Sequence, residues 1–298
     1  MTSSISTVLI NKARRSKRTL SLRAGLVRTA VYSRAEVCYP DFLGIGAPRA
    51  ATTWLYKRLL QHPEVYLPKM KELHFFDEKR QTTYQDESGV NWFRNFYFDI
   101  NNKAHWRWYG AQFVAGKGRL KGDITPDYST LSESRVQSIK GLLPNLKIVY
   151  VLRNPIERAW SGVRRTLWHE VGKKPNNLGS TKSILKTAMH PEVLVRGDYQ
   201  HAIRAWESAF SEAQILYLFF DDIVKDQRSQ LIRVCRFLDV DPALLPSAQS
   251  DKDRVNEAPA QDMPDEIRAA LTDYYMPQIQ FLQEKFDRNL SHWIKHNA

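Results

Sequence analysis

The stretch DFLGIGAPRAATTWLYKRLL, residues 41–60, opens as a short apolar strand from Phe42 to Ile45, turns, and continues as a helix from Thr52 to Gln61. A helix that starts straight from a strand leaves its first N–H groups without intrahelical acceptors, and those groups together with the helix dipole favour an anion. Laid over the phosphate-loop pattern G-x-x-x-x-G-K-[ST], Gly46 takes the first glycine and Thr53 the final hydroxyl, while Ala51 stands at the second glycine and Thr52 at the lysine. The turn is therefore shaped for a phosphate-like group but lacks the side chain that grips a nucleoside triphosphate. Its basic residue is moved upstream, to Arg49. That shift suits a transferring group carrying less charge than a phosphoryl group.

Working outward, His62-Pro63 stops the helix, and Val65-Tyr66-Leu67-Pro68 starts a loop into KMKELHFFD. Residues 78–110 show weak periodicity and many aromatics, which predicts an irregular insert with one short helix from Asn91 to Phe98. KGDITPDYSTL reads as a turn region before a helix from Glu133 to Leu143. Lys147–Leu152, KIVYVL, is an apolar run bounded by turn residues and predicts a fully buried parallel strand. Asn154, Pro155 and Glu157 then supply an N-cap, a first-turn proline and an acid at the third position of a helix reaching His169. After the polar loop 172–183 and a helix-rich stretch 183–211, a strand from Ile215 to Phe220 and a helix from Ile223 to Leu238 form one more β-α unit. This alternation predicts an α/β fold, a P-loop-like parallel sheet flanked by helices on both faces, with ligands at the carboxyl ends of the strands.

With 298 residues, 43% of them hydrophobic, the chain can bury one large core, so residues 39–298 are expected to form a single domain. Residues 1–38 are a basic arm: eight Lys and Arg lie between Lys12 and Arg34, with no acid among residues 1–35. They account for eight of the twelve net positive charges, and the remaining +4 suits an anionic cofactor or substrate better than a specific nucleic-acid partner. A flexible tail is the expected reading of the arm, with a targeting peptide or peripheral contact with anionic lipid as alternatives. No apolar run nears the roughly twenty residues that a membrane span needs, so a cytoplasmic, at most membrane-peripheral, protein is expected. Cys38 and Cys235 are too few and too distant for a disulfide framework or a zinc site, and both are expected to be buried thiols in a reducing compartment.

Arg153 follows directly on a buried strand, and Ser161 lies two turns into the next helix, so the pair can hold a second anion beside the 46–54 loop. The alternative for Arg153 is an ion pair with Asp123. GIGAPRAATTWL, KELHFFD, GDITPDY and VLRNPIERAWSGV, in that order and spacing, resemble the sulfotransferases that use 3′-phosphoadenosine 5′-phosphosulfate (PAPS). The resemblance is strongest to the branch of heparan-sulfate and bacterial carbohydrate enzymes. It runs over roughly residues 41–290, including YLFFDDIVKDQRSQLIRVCRFLDVD.

The resemblance implies a sulfotransferase acting on a hydroxyl of a carbohydrate or glycolipid acceptor by in-line displacement, with PAPS as donor and no metal. Arg49, Ala50, Ala51, Thr52, Thr53 and Trp54 would wrap the 5′-phosphosulfate, with Arg49 at the family's catalytic lysine position. Arg153 and Ser161 would bind the 3′-phosphate, and Lys252 and Arg254 would touch it from a closing loop. Glu72 matches the family's general base, the alternative for it being an ion pair with Lys69 or Lys71. His74, Thr125 and Tyr128 are expected at the acceptor, His74 also beside the chemistry, and Asp77 as a loop anchor. If residues 71–76 are extended, Glu72 and His74 face one side together. Trp92, Trp106, Trp108 and Trp168 are either sugar-stacking faces or core.

Three positions depart from the pattern: Arg49 for lysine, Ala51 for glycine, and Ile124 where related carbohydrate enzymes commonly carry lysine. Arginine is a permanent planar cation and a poor proton donor, and alanine resists a positive φ. Two alternatives to the enzyme follow, a non-catalytic nucleotide-binding protein of the same fold and a P-loop kinase or NTPase, the latter disfavoured by Thr52 at the lysine position.

Overall fold

The structure, a computed structural model, describes residues 37–78, 97–170, 179–246 and 261–294, without the side chains of residues 168–170. Strand β1 (Phe42–Gly46) leads through a short loop into helix α1 (Thr52–Leu60), and β2 (Val65–Tyr66) follows. Next come α2 (Lys103–Ala111), β3 (Leu120–Ile124), α3 (Glu133–Leu142), β4 (Lys147–Leu152) and α4 (Pro155–Glu170). The second half contains α5 (Thr181–Ala188), α6 (Pro191–Leu194), α7 (Tyr199–Glu207), β5 (Ile215–Phe219), α8 (Phe220–Lys225), α9 (Gln227–Phe237) and α10 (Asp265–Phe286).

The five strands form one sheet in the order β2-β3-β1-β4-β5, and every pairing is parallel. β1 is central because it is apolar throughout and buried at all five positions, as an inner strand covered on both faces must be. On β4, Ile148 to Leu152 are buried in the same way. Each such aliphatic side chain contributes about 1.5–3 kcal/mol relative to exposure. The chain runs outward from β1 to β2 on one side, returns through β3, and crosses to β4 on the other. That reversal lies beside β1 and β4, at whose carboxyl ends such folds bind ligands.

Several sequence expectations are revised here. Residues 120–124, read as part of a turn region, are a strand between β2 and β1. Lys121 and Asp123 disguised it, and Gly122 is needed there because an added Cβ would lie 2.1 Å from the Phe42 ring. Val65-Tyr66, read as loop, is the short edge strand β2. The expected helix from Ile223 to Leu238 is broken at Asp226, whose Oδ1 accepts from the Ser229 N–H at 2.9 Å and caps α9. Most of the expected helix from Asn91 to Phe98 and most of the basic arm lie outside the described residues. Helix α2, with Asn102 accepting from the Ala104 N–H as its cap, lies in the stretch read as irregular. Cys235 is buried as expected, while Cys38 is only half-buried.

Candidate active site

At the carboxyl end of β1, the turn into α1 is built from unusual backbone. Gly46 has φ +146°, and a Cβ there would meet the Pro126 carbonyl at 2.7 Å and Ser129 Oγ at 2.9 Å, so only glycine fits. Arg49 (φ 71°) and Ala51 (φ 59°) both adopt left-handed conformations. For a side chain with a Cβ this costs about 1–2 kcal/mol each, a strain of the kind that gathers at ligand-binding loops. Ala51 is thus tolerated in the conformation that the phosphate-loop glycine supplies freely.

That turn presents donors. Among the described residues, the N–H groups of Ala51, Thr52, Thr53 and Trp54 have no protein acceptor, and no side chain caps α1. The first turn of α1 carries no acid. A phosphate-like anion fits both conditions. Ala50 is fully buried and its N–H returns to the Ala47 carbonyl, so it shapes the turn, and Trp54 packs into the core at 3% exposure.

The second cluster adjoins the first. Arg153 Nη1 donates to the Arg49 carbonyl at 2.6 Å, and Arg49 Nε donates to Ser161 Oγ at 3.0 Å. The Arg153 guanidinium lies over the Phe220 ring, 4.5 Å from its centroid, and Tyr199 brackets the Arg153 backbone, its hydroxyl donating to the carbonyl at 2.6 Å. Burial pushes the Arg49 guanidinium down to about 10, helped by the positive charges of Arg165, Arg153, Arg164 and Arg158. Arg153 is lowered chiefly by burial, against the opposing pull of Glu157. Both stay charged at neutral pH. So many cations gathered around one turn call for an anionic ligand. Asp123, the alternative partner for Arg153, is engaged elsewhere.

Glu72 and His74 also meet, by a route other than the expected extended strand. Both have positive φ, 63° and 56°, so the segment is a pair of left-handed bends. Glu72 Oε2 lies 3.7 Å from His74 Nε2, and Glu72 Oε1 accepts from Lys71 Nζ at 2.8 Å. Burial raises the Glu72 carboxyl, but the His74 hydrogen bond and the Lys71 charge and hydrogen bond outweigh it and hold the group at about 2. His74 Nδ1 pairs with Asp77 Oδ2 at 2.9 Å, which orients the imidazole. His74, Asp77 and Asp127 bring ligand-type atoms within 4.8 Å of one another, and the nearby positive charge comes from Arg196, whose Nε donates to Asp127 at 2.8 Å.

Thr125 and Tyr128, expected to touch an acceptor, are fully buried, and their hydroxyls both donate to Asp123 at 2.8 Å. Tyr109 adds a third donor at 3.1 Å. Because these hydroxyl hydrogens face Asp123, the oxygens are free to accept, and they take the N–H groups of His74 (to Thr125, 3.4 Å) and Phe75 (to Tyr128, 2.9 Å). The two residues therefore support the Glu72–His74 bend from beneath. Removing the shared acceptor leaves three buried hydroxyls to find new partners, so Asp123→Ala is expected to lower unfolding free energy by about 3 kcal/mol in urea titration. A loss below about 1 kcal/mol would contradict this role.

Trp106 and Trp108 belong to an aromatic cluster: Trp108 stacks on Phe98 at 4.4 Å, and Trp106 meets Phe75 edge-on at 4.9 Å. This is the core alternative. Trp92, Lys252, Arg254 and the Trp168 side chain lie outside the described residues. Sequence reasoning did not foresee the Asp123 hub, because a single acid between Gly122 and Ile124 carries no pattern. The ion pair with Lys71, the alternative reading of Glu72, is present at 2.8 Å, but the reach of Lys71 to Thr53 was not foreseen.

Comparison with known proteins bears on this geometry. The family model described as the sulfotransferase family matches residues 40–243. The bifunctional heparan sulfate N-deacetylase/N-sulfotransferase 4 of Mus musculus is 28% identical over 229 residues, 71% of this chain and 24% of that protein. Carbohydrate sulfotransferase 15 of Homo sapiens is 26% identical, with 69% of this chain and 44% of that one aligned. A 3-alpha-hydroxysteroid sulfotransferase of Cavia porcellus is 24% identical over 59% of this chain and 64% of its own length. The chain spans about a quarter of the length of the first curated relatives it matches. In fold, it is similar to a sulfotransferase from Alicyclobacillus acidocaldarius, with a TM-score of 0.63, 23% identity, and coverage of 87% of this chain and 100% of that one.

Proposed function

Because the chain belongs to the sulfotransferase family, we propose that it moves a sulfuryl group from PAPS to a hydroxyl of a carbohydrate or glycolipid. The observation that carries the donor assignment is the contiguity of two donor clusters. The free N–H groups of residues 51–54 suit the 5′ end, and Arg153 with Ser161 suits the 3′-phosphate, with Arg49 joining them at 2.6 and 3.0 Å. A ligand with two separated anions fits that pair better than a triphosphate does. The donor supplies an activated sulfur whose bond to the 5′-phosphate oxygen breaks as the acceptor oxygen bonds to it.

Glu72 accepts the acceptor's proton. Its low pKa makes it a weak base, one suited to taking a proton late, when the acceptor hydroxyl has become acidic through its new bond to sulfur. His74, held by Asp77, orients Glu72 from the buried side. The bonding pair of the broken bond stays on the 5′-phosphate oxygen, and the fixed N–H groups of the turn stabilise the charge it brings, since such preorganised donors act without reorganising as charge develops. The carbohydrate assignment is supported by the heparan sulfate and carbohydrate enzymes among the relatives, and the hydroxysteroid enzyme marks the alternative acceptor class. Among the described residues, no helix is long and apolar enough to cross a membrane.

Incubation with sulfur-35-labelled PAPS and a panel of polysaccharides and glycolipids, with magnesium chelated, is expected to label a carbohydrate acceptor. Labelling of hydroxysteroids alone would overturn the acceptor class. Failure to bind the desulfated nucleotide 3′-phosphoadenosine 5′-phosphate (PAP) would overturn the donor.

A further inference from the structure

Lys71 stands where the two halves of the proposed reaction meet. Its Nζ donates to Thr53 Oγ1 at 3.1 Å and to Glu72 Oε1 at 2.8 Å, so one ammonium touches both the first turn of α1 and the proposed base. Arg49, which occupies the loop position where a lysine is usual in related enzymes, has its Nε engaged by Ser161, on the side of the second anion cluster. Its backbone carbonyl is taken by Arg153. At the 5′ end the donor loop offers the N–H groups of residues 51–54 and the hydroxyls of Thr52 and Thr53, and the ammonium of Lys71 lies one hydrogen bond from the latter.

We propose that Lys71, rather than Arg49, is the cation that contacts the 5′ end of the bound nucleotide, and that Arg49 belongs with Arg153 and Ser161 at the 3′-phosphate. This rests on the PAPS reading above. An ammonium is a compact point charge with three rotatable donors on a flexible stem, so it can keep Thr53 and still turn one N–H toward a phosphate or sulfuryl oxygen. At 21% side-chain exposure Lys71 is partly desolvated, which strengthens its pull on an anion. Contact with the nucleotide also draws the ammonium off Glu72 and frees that carboxylate oxygen to face the acceptor. Lys71 thus links donor binding to release of the base.

The test uses truncated ligands, which need no acceptor. Calorimetric titration of the full chain and of Lys71→Met is carried out with PAP and with adenosine 3′-monophosphate, which lacks the 5′-phosphate. The expected result is about a tenfold weaker PAP affinity in Lys71→Met, the loss of one partly buried charge-assisted contact, with adenosine 3′-monophosphate within twofold and Lys71→Arg close to the parent. Equal loss for both ligands, or no loss for either, would overturn the proposal. Where the parent binds PAP but Lys71→Met matches it, only the Lys71 assignment fails. Where the parent binds neither ligand, the PAPS reading fails with it. Melting curves of both variants check the fold, and Lys71→Gln replaces Lys71→Met if the latter melts early.

Discussion

Glu72→Gln is expected to lower turnover by about 10²–10⁴-fold, the usual contribution of a positioned general base, while PAP affinity stays within a few-fold of the parent. The amide keeps the shape and the hydrogen bond from Lys71 but cannot take a proton. Nucleotide binding depends on the turn at 46–54 and on Arg153, neither of which Glu72 holds. The pH dependence separates Glu72 from other bases. With its pKa held at about 2 in the free protein, Glu72 stays ionised through the mildly acidic range, so kcat/KM of the parent should show no loss attributable to this group above about pH 4. The same depression has a stability sign. A carboxyl whose folded pKa lies below its ordinary 4.5 stabilises the fold above that pH, and the contribution disappears as pH falls from 4.5 toward 2. The melting-temperature gap between the parent and Glu72→Gln should close across that window. Unchanged turnover in Glu72→Gln would remove the base assignment.

Arg153→Ala should weaken PAP binding by roughly 30- to 150-fold, the equivalent of about 2–3 kcal/mol for a charge-assisted contact in a partly buried site. Two features fix this side chain in place: its Nη1 bond to the Arg49 carbonyl and its stacking on Phe220. The loss should be selective. Adenosine 5′-phosphosulfate, which lacks the 3′-phosphate, should bind parent and variant with affinities within about threefold, as equilibrium dialysis would measure. Arg153→Lys should recover only part of the loss, since lysine keeps the charge but not the planar fork. Equal weakening of both nucleotides would mean that Arg153 serves the shape of the loop at Arg49 and makes no contact with the ligand.

The parts of the molecule legible in the sequence are those with strong local patterning. β1, α1 and β4 lie within a residue or two of their expected bounds, because each couples an apolar run to a sharp breaker. The adjacency of Arg49, Arg153 and Ser161 was also legible, since both clusters sit directly after buried parallel strands that topology places side by side. β3 was hidden because Lys121 and Asp123 interrupt its apolar pattern, and Asp123 is acceptable there only through three hydroxyl donors that come from elsewhere in the fold. Thr125 and Tyr128 looked like cleft residues because threonine and tyrosine in a turn motif suggest exposed hydroxyls. Their burial depends on that same hub. The meeting of Glu72 and His74 was anticipated for a reason the backbone replaces: paired left-handed bends, and no extended strand, set their side chains together. The ion pair of Lys71 with Glu72 was legible because the two are neighbours in sequence, whereas nothing local says that the same ammonium reaches back eighteen residues to Thr53.

The most direct test is a crystal structure of the chain with PAP. The 3′-phosphate should lie against Arg153 and Ser161, and the 5′-phosphate against the N–H groups of Thr52 to Trp54 with the Lys71 ammonium beside it. A nucleotide seated with either phosphate outside these two clusters would contradict the pair of donor clusters on which the donor assignment rests.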